Sequence, residues 1–420
     1  MPLGREYPAI EDITFNEEIE NLSEIKDAII DVINWETEGD LLREGRNRYM
    51  LLQKYGFPPL KYRGIPSGCL KIKGTGHVVK TGNRLEARPP SSDIYLGPQI
   101  SGKQVVTAHM TIDDYGKIVP VVGGSRFTGA LKASNARNEY DITNEAMDNE
   151  ASVCLPVAFG KYSQRLVDEE IGIVVLGERD GLGRRVRDLT LAKVGQDKGR
   201  TQVKFPDYLF ERMTAKAGHQ AIGSVESYFE CLFFDMGKCL RLFHDGGFLR
   251  HAGHLDNYQI DEGTGELVIL DLDTSIRKAS LPKGKQFLSQ AFDVMSSMRG
   301  IHEAICMSAL CFLYVRQEEP NLYYHFLTGY LNNLHTNGYR KQMRDAAGLL
   351  WKECTKEYIG KEHESYRISR NAFTPIAVLA IYDLMQATLE NEGIEPPYGQ
   401  SRLRKELNEF MARLSKLPSA

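Results

Sequence analysis

The stretch that decides the reading runs from Phe248 to Ser275, FLRHAGHLDNYQIDEGTGELVILDLDTS. Its Asp-Asn pair, Asp256 and Asn257, leads into a short apolar run, a glycine-containing turn follows, and the strand-like text LVIL ends at Asp271. Two strands joined by that turn bring Asn257 and Asp271 to the same end of a hairpin. An amide oxygen and a carboxylate there suit Mg²⁺, a hard cation that takes oxygen ligands and leaves positions for phosphate oxygens and water. An Asx turn opening a solvated hairpin accounts for Asn257 and Asp261, but not for a carboxylate that closes an apolar strand. Asp273 is a second carboxylate on the same strand face, able to replace or assist Asp271.

Phosphate needs cations, and the first half of the chain supplies them. In LKIKGTG, Lys71 and Lys73 share one strand face by period-two alternation, just before Gly74 and Gly76, flexible residues whose backbone amides are free to approach an anion. A helix is expected from Ala133 to Met147, and it carries Glu139 and Glu145, either of which is placed to pair with such a lysine. Further on, LAKVGQDKGR offers Lys193 and Arg200 across a glycine turn, a clamp for a polyphosphate from the opposite side. Each basic or acidic residue taken singly is a solvated surface charge. GGSRFTG, residues 123–129, is a hairpin turn rather than a Walker motif, because no Gly-Lys-Ser/Thr closes it.

Around these motifs the chain divides in two. From Cys69 to about Phe205 it consists of short β-like runs broken by Gly, Pro and Asn: CLKIKG, QVVTAHMTI, KIVPVVGG, VCLPVAFG, GIVVLG and LTLAKVG. After Pro206 apolar residues recur at three- and four-residue spacing, in YLFERM, over 225–248, 286–316, 321–353 and 373–414. The boundaries expected are an acidic, weakly helical extension over 1–60, a β-rich lobe over 61–205, and a helical lobe over 206–420 that holds the hairpin 248–275. Within the extension, Ile25, Ile29, Ile30 and Ile33 fall on one helical face suited to docking on the body. The fold class is α+β, in two lobes.

Composition bounds the function classes. The 420 residues are 42% hydrophobic and 26% charged, enough for large buried cores and against disorder over most of the length. A formal net charge of -4 gives no basic field, so nucleic acid is not indicated as a partner. Seven cysteines without CxxC spacing exclude a disulfide framework and a structural zinc site. The opening MPLGREYPAIEDITF lacks the pattern of a signal peptide and no apolar run is long enough to span a membrane, so a cytoplasmic location is expected.

An Asn and a later Asp holding Mg²⁺, opposite a strand lysine oriented by a helix glutamate, is the arrangement of kinase-type sites. The order of features goes further and resembles the selenoprotein O family, kinase-like protein adenylyltransferases. LKIKGTG with Lys73, SNARNEYDITNEAM with Glu145, AKVGQDKGR, HAGHLDN with Asp256 and Asn257, and VILD with Asp271 follow one another over about residues 68–275. The resemblance implies a protein-kinase-like two-lobed fold in which Lys73 contacts phosphate and pairs with Glu145. It also implies that Lys193 and Arg200 hold the nucleotide, that Asn257 and Asp271 bind the metal, and that AMP rather than phosphate is transferred from ATP.

The sequence departs from that family at three places. Lys193 stands where the family has Arg, the text after the metal Asp reads DLDTS instead of Asp-Tyr-Gly, and no selenocysteine or cysteine motif precedes the ending SKLPSA. It departs from ordinary kinases as well: the catalytic Asp of a kinase lies five residues before the metal Asn, and Ala252 is there. Asp256 is the substitute base, with His251 and His254 as alternatives. The function expected is AMP transfer to a hydroxyl of a protein or peptide. The alternatives are γ-phosphate transfer to a protein or small molecule, and a pseudokinase that binds nucleotide without turnover.

Overall fold

The computed structural model describes residues 9–42, 45–91, 99–101, 104–122, 127–178, 184–190, 194–197, 200–203, 224–261, 265–307, 321–331, 337–359, 363–391 and 398–414. The first half is built on an antiparallel sheet in the order β1 (Ile10–Phe15), β4 (Leu155–Leu166), β5 (Glu169–Glu178), β3 (Cys69–Thr81) and β2 (Gly45–Leu51). The segment up to residue 60, expected as a separate helical extension, thus supplies two strands of this sheet. Helix α1 (Lys26–Ile33) is its one α-helix among the described residues, and Ile25, Ile29, Val32 and Ile33 are fully buried. Ile30 is only partly buried, because it lies about 100° round the axis from Ile29, at the edge of the apolar stripe.

Helix α2 (Ala133–Asp148) packs across β4 and β5. The run LTLAKVG, expected as a strand, is split: Val186–Thr190 is a short helix, and strand structure resumes at Val194–Asp197, paired with Arg200–Val203. Between the sheet strand β3 and α2 lies a separate three-stranded sheet of Gln99–Ser101, Gln104–Ile112 and Ile118–Val122.

The second half is helical: α3 (Val225–Asp245), α4 (Lys283–Met307), α5 (Asn321–Leu331), α6 (Asn337–Leu350), α7 (His363–Asn391) and α8 (Gln400–Leu414). The segment YLFERM lies outside the described residues. Helix α3 packs lengthwise on α5, and Gly237 and Gly329 permit it: a Cβ on either would meet the opposing backbone carbonyl at 2.1 Å and 1.9 Å. A sheet-rich first half and a helical second half make the α+β architecture that the periodicities predict. Among the described residues no helix is long and apolar enough to cross a membrane. Cys69, Cys154, Cys231, Cys239, Cys306 and Cys354 are free thiols.

Candidate active site

Strand β3 sets the site by alternation. Leu70 and Ile72 point into the large core, while Lys71 and Lys73 take the opposite face, both buried. The register places Leu176 opposite Lys71 and Val174 opposite Lys73. Val174 and Leu176 join Leu131, Ala136, Cys154, Val268 and Leu270 in a second apolar cluster. That cluster is where the sheet, helix α2 and the 248–275 hairpin meet, so the lysine ammonium groups sit beside apolar walls that strengthen any ion pair they form.

The hairpin follows the predicted pairing. Tyr258–Ile260 pairs with Leu267–Ile269, and the N–H of Leu270 donates to the carbonyl of Asn257 at 2.9 Å. Asn257 and Asp271 therefore lie at the same end. The N–H of Ile269 donates to the carbonyl of Ser152 at 2.8 Å, which fastens the hairpin to the residues leading into β4. Asn138 of α2 donates from Nδ2 to the carbonyls of Asp273 and Ser275 at 3.2 and 2.9 Å, fixing the chain after Asp271.

Three cations converge on Asp271. Lys73 Nζ lies 3.1 Å and Lys71 Nζ 3.4 Å from Oδ1, and Arg185 Nη1 lies 3.7 Å from Oδ2. Burial works against charge on Asp271, but Lys71, Lys73 and Arg185 outweigh it and hold the carboxyl well below its ordinary range. Burial likewise opposes charge on Lys73, and Asp271 and Glu139 overcome it, so the ammonium is retained above its usual range. Asp271 itself adopts φ of 55°, a left-handed conformation that Asp tolerates better than most residues and that ends the strand abruptly.

The helix partner of Lys73 is Glu139, at 2.5 Å from Oε2 and fully buried, and not Glu145. Six residues span about 1.7 helical turns, which carries Glu145 about 120° round the axis from Glu139. Glu145 is instead exposed and forms a bidentate pair with Arg277. Alternation and helical period left both glutamates open, and the resemblance selected the one that the helix turns outward.

Gly74 and Gly76 are also placed differently from the expectation. They lie inside β3 and not in a loop after it, with φ of +89° and +123°. A Cβ on Gly74 would come within 2.2 Å of the Gly172 carbonyl, and one on Gly76 within 2.2 Å of the Arg88 carbonyl. The N–H of Gly76 is already given to the Gly129 carbonyl at 2.9 Å, so it is committed to the fold and not to an anion. Lys193 lies outside the described residues. Arg200 opens the strand Arg200–Val203, and only its backbone is described.

Asp256 sits at the rim, its carboxylate one-third exposed. Arg187 Nη1 donates to its Oδ2 at 2.8 Å, His254 Nδ1 lies 3.7 Å from the same oxygen, and Arg185 donates to its backbone carbonyl. Burial, outweighing the nearby Asp256, lowers the His254 imidazole to about 4. His251 is buried, with a backbone φ of 59°.

Asp293 of α4 is the residue that single-motif reasoning missed. Its carboxylate accepts the backbone N–H of Arg250 at 2.6 Å and of His251 at 2.7 Å, and His244 Nε2 lies 3.1 Å away. Burial opposes its ionisation, but the bonds and charge of His244 and the backbone amides hold it below its ordinary range. The signal was present in the text: one Asp set among the apolar residues of FLSQAFDVM, between Phe292 and Val294. Arg250, fully buried, carries the anchor further by donating to the carbonyls of Asn257 and Leu270 at 2.7 and 3.2 Å.

The donor set fits Mg²⁺. Asn257 is buried and its Nδ2 is committed to the Ala252 carbonyl at 2.9 Å, which leaves the amide oxygen as the atom available to a cation. Among the described residues no group of three or more His, Cys, Asp or Glu is arranged to hold a metal, so a cation here rests on one amide, one carboxylate and the oxygens of its own ligand.

No family model matches the chain, and no curated protein matches it. Among solved structures it is similar to WaaP in complex with acyl carrier protein, at 14% identity and a TM-score of 0.34, covering 64% of this chain and 90% of that one. It is also similar to a Toxoplasma gondii specific rhoptry antigen kinase domain, at 9% identity and 0.26, covering 74% and 87%, and to a rhoptry kinase from Toxoplasma gondii, at 10% and 0.27, covering 74% and 84%.

Proposed function

We propose that this chain is a Mg²⁺- and ATP-dependent transferase of the kinase-like class acting on a hydroxyl acceptor. The observation that carries this reading is Lys73, which joins Glu139 of α2 to Asp271 at the end of the hairpin. A buried strand-to-helix ion pair that also reaches a carboxylate of the hairpin is what phosphate positioning requires, because Glu139 fixes where the ammonium stands.

In this reading Lys73 binds phosphate oxygens, while Lys71 holds the same oxygen of Asp271 and Arg185 faces the other. Asn257 and Asp271 would hold Mg²⁺, which when bound neutralises charge on the phosphates. Asp256 takes the proton from the acceptor hydroxyl as its oxygen attacks phosphorus. The first reading of the transferred group is AMP: attack falls on the α-phosphorus, the bond to the bridging oxygen breaks, and pyrophosphate leaves. The sequence resemblance supports it. The second reading is transfer of the γ-phosphoryl group with ADP leaving, and it is supported by the Lys73–Glu139 pair, an arrangement that protein kinases use.

The test is to incubate the full chain with Mg²⁺ and ATP labelled at the α- or the γ-position, together with Lys73→Met and Asp271→Asn as controls. Label from the α-position in protein or peptide product supports adenylyl transfer, and label from the γ-position alone supports phosphoryl transfer. Thermal stabilisation by ATP and Mg²⁺ with neither label transferred makes the chain a nucleotide-binding module and contradicts the enzymatic reading.

A further inference from the structure

The three-stranded sheet of residues 99–122 is inserted between the strand that bears Lys73 and the helix that bears Glu139, yet it is fastened to the helical half. Lys285 of α4 donates to the carbonyl of Asp113 at 2.5 Å, Arg413 of α8 donates to the carbonyl of Ile118, and Met110, Ile112 and Ile118 are buried in the large core. At its middle, His109 reaches the loop that precedes Asn257. Its ring stacks on that of His254, with centroids 5.4 Å apart and planes 20° from parallel, while its Nδ1 lies 3.1 Å from the hydroxyl of Ser296 on α4.

This contact completes a pattern along α4. Asp293 grips the loop directly at the amides of Arg250 and His251, and Ser297 bonds Tyr258 Oη at 3.0 Å just beyond Asn257. Between those points, Gly253 and Gly300 bring the loop and helix so close that a Cβ on Gly253 would meet Ser297 Oγ at 2.8 Å and one on Gly300 would meet Leu255 at 2.8 Å. His254 is the side chain of this loop that α4 reaches through an intermediary, and the intermediary is His109. Because Ser296 is three residues from Asp293, one turn of α4 presents both grips on the same face. Bonded at one nitrogen and stacked on its face, the His109 ring restrains His254, whose Nδ1 lies 3.7 Å from Asp256 Oδ2.

We propose that His109 is a positioning residue: the inserted sheet clamps the loop 252–257 through His254 so that Asp256 faces the acceptor. The inference rests on the reading of Asp256 as the proton acceptor. The test compares His109→Ala, His109→Phe and Ser296→Ala in the full chain, by hydrogen–deuterium exchange and by label transfer from ATP. With His109→Ala, amides 252–257 exchange at least tenfold faster while strand 69–81 is unchanged; kcat falls at least tenfold and KM for ATP stays within twofold. His109→Phe, which keeps the stack, retains most of the protection, and Ser296→Ala falls between. Unchanged exchange over 252–257 in His109→Ala overturns the proposal. So does faster exchange spread evenly over α4 and the main sheet, which marks a packing role only. If exchange moves as expected but the wild-type chain transfers no label, the clamp stands and the enzymatic reading of Asp256 is what fails.

Discussion

Lys73 Nζ and Asp271 Oδ1 stand 3.1 Å apart, a contact between residues 198 positions apart in sequence that ties the sheet of the first half to the hairpin of the second. Lys73 also holds Glu139, which is fully buried, whereas Asp271 keeps Lys71 and Arg185. Removing Lys73 therefore takes from the buried Glu139 its closest cation, a loss of about 3–5 kcal/mol in other buried pairs. Lys73→Met is therefore expected to lower the thermal midpoint as well as abolish turnover, and calorimetry on the variant separates the two effects.

The two glutamates of α2 give a sharper comparison. Glu139→Gln removes the carboxylate that fixes Lys73 and is expected to lower kcat by about a hundredfold or more, the scale of lost phosphate-site positioning. Glu145→Gln breaks an exposed pair with Arg277, and such pairs contribute about 0–1 kcal/mol, so activity should stay within a factor of two. Steady-state kinetics of the two variants side by side would show equal losses only if the helix were read in the wrong phase.

What the text made legible and what it hid follow from range. Alternation in LKIKG put Lys71 and Lys73 on one face, and the hairpin turn put Asn257 beside Asp271, because both are local geometry. The choice between Glu139 and Glu145 is a matter of helical phase against a strand 66 residues away, which no local pattern encodes. Strands Ile10–Phe15 and Gly45–Leu51 were missed because single strands at the margins of a sheet carry little periodic signal, and the acidic composition around them read as an extension. Gly74 and Gly76 looked like loop glycines when the constraint was a neighbouring carbonyl. Which groups Asp293 holds was hidden because two of its three partners are backbone amides, which leave no mark in a sequence.

Gly74→Ala should report on that constraint. Its φ of +89° and the 2.2 Å approach to Gly172 mean that a methyl group forces the two strands apart, and the loss expected is about 2 kcal/mol or more. A chemical denaturation curve with an unchanged midpoint would contradict the strand placement.

Acid should destabilise the helical half through His302. Burial lowers its imidazole to about 3, and the ring is bonded to Ser369 at 2.8 Å and stacked on Phe373. Between pH about 6.5 and about 3 the unfolded chain binds this proton and the folded chain does not. Stability from this group is thus full above about 6.5 and falls as pH drops, by up to about 1.4 kcal/mol per unit. Urea midpoints measured over pH 4.5–7.5 should decline toward acid in the wild type and decline less in His302→Gln.

Asp293→Asn keeps the shape but weakens the charge-assisted grip on the amides of Arg250 and His251. Each such bond contributes about 1.5–3 kcal/mol, so the loop 250–257 should exchange faster and the midpoint fall. Unaltered protection of those amides would mean that the loop is held by other contacts.

The most direct measurement is calorimetric titration of ATP with Mg²⁺ into the wild-type chain, Lys73→Met and Asp271→Asn. If Lys73, Asn257 and Asp271 serve one nucleotide–metal site, the wild type binds only when Mg²⁺ is present and each variant loses at least fiftyfold in affinity. Binding of equal strength in all three proteins, or binding indifferent to Mg²⁺, would contradict the account.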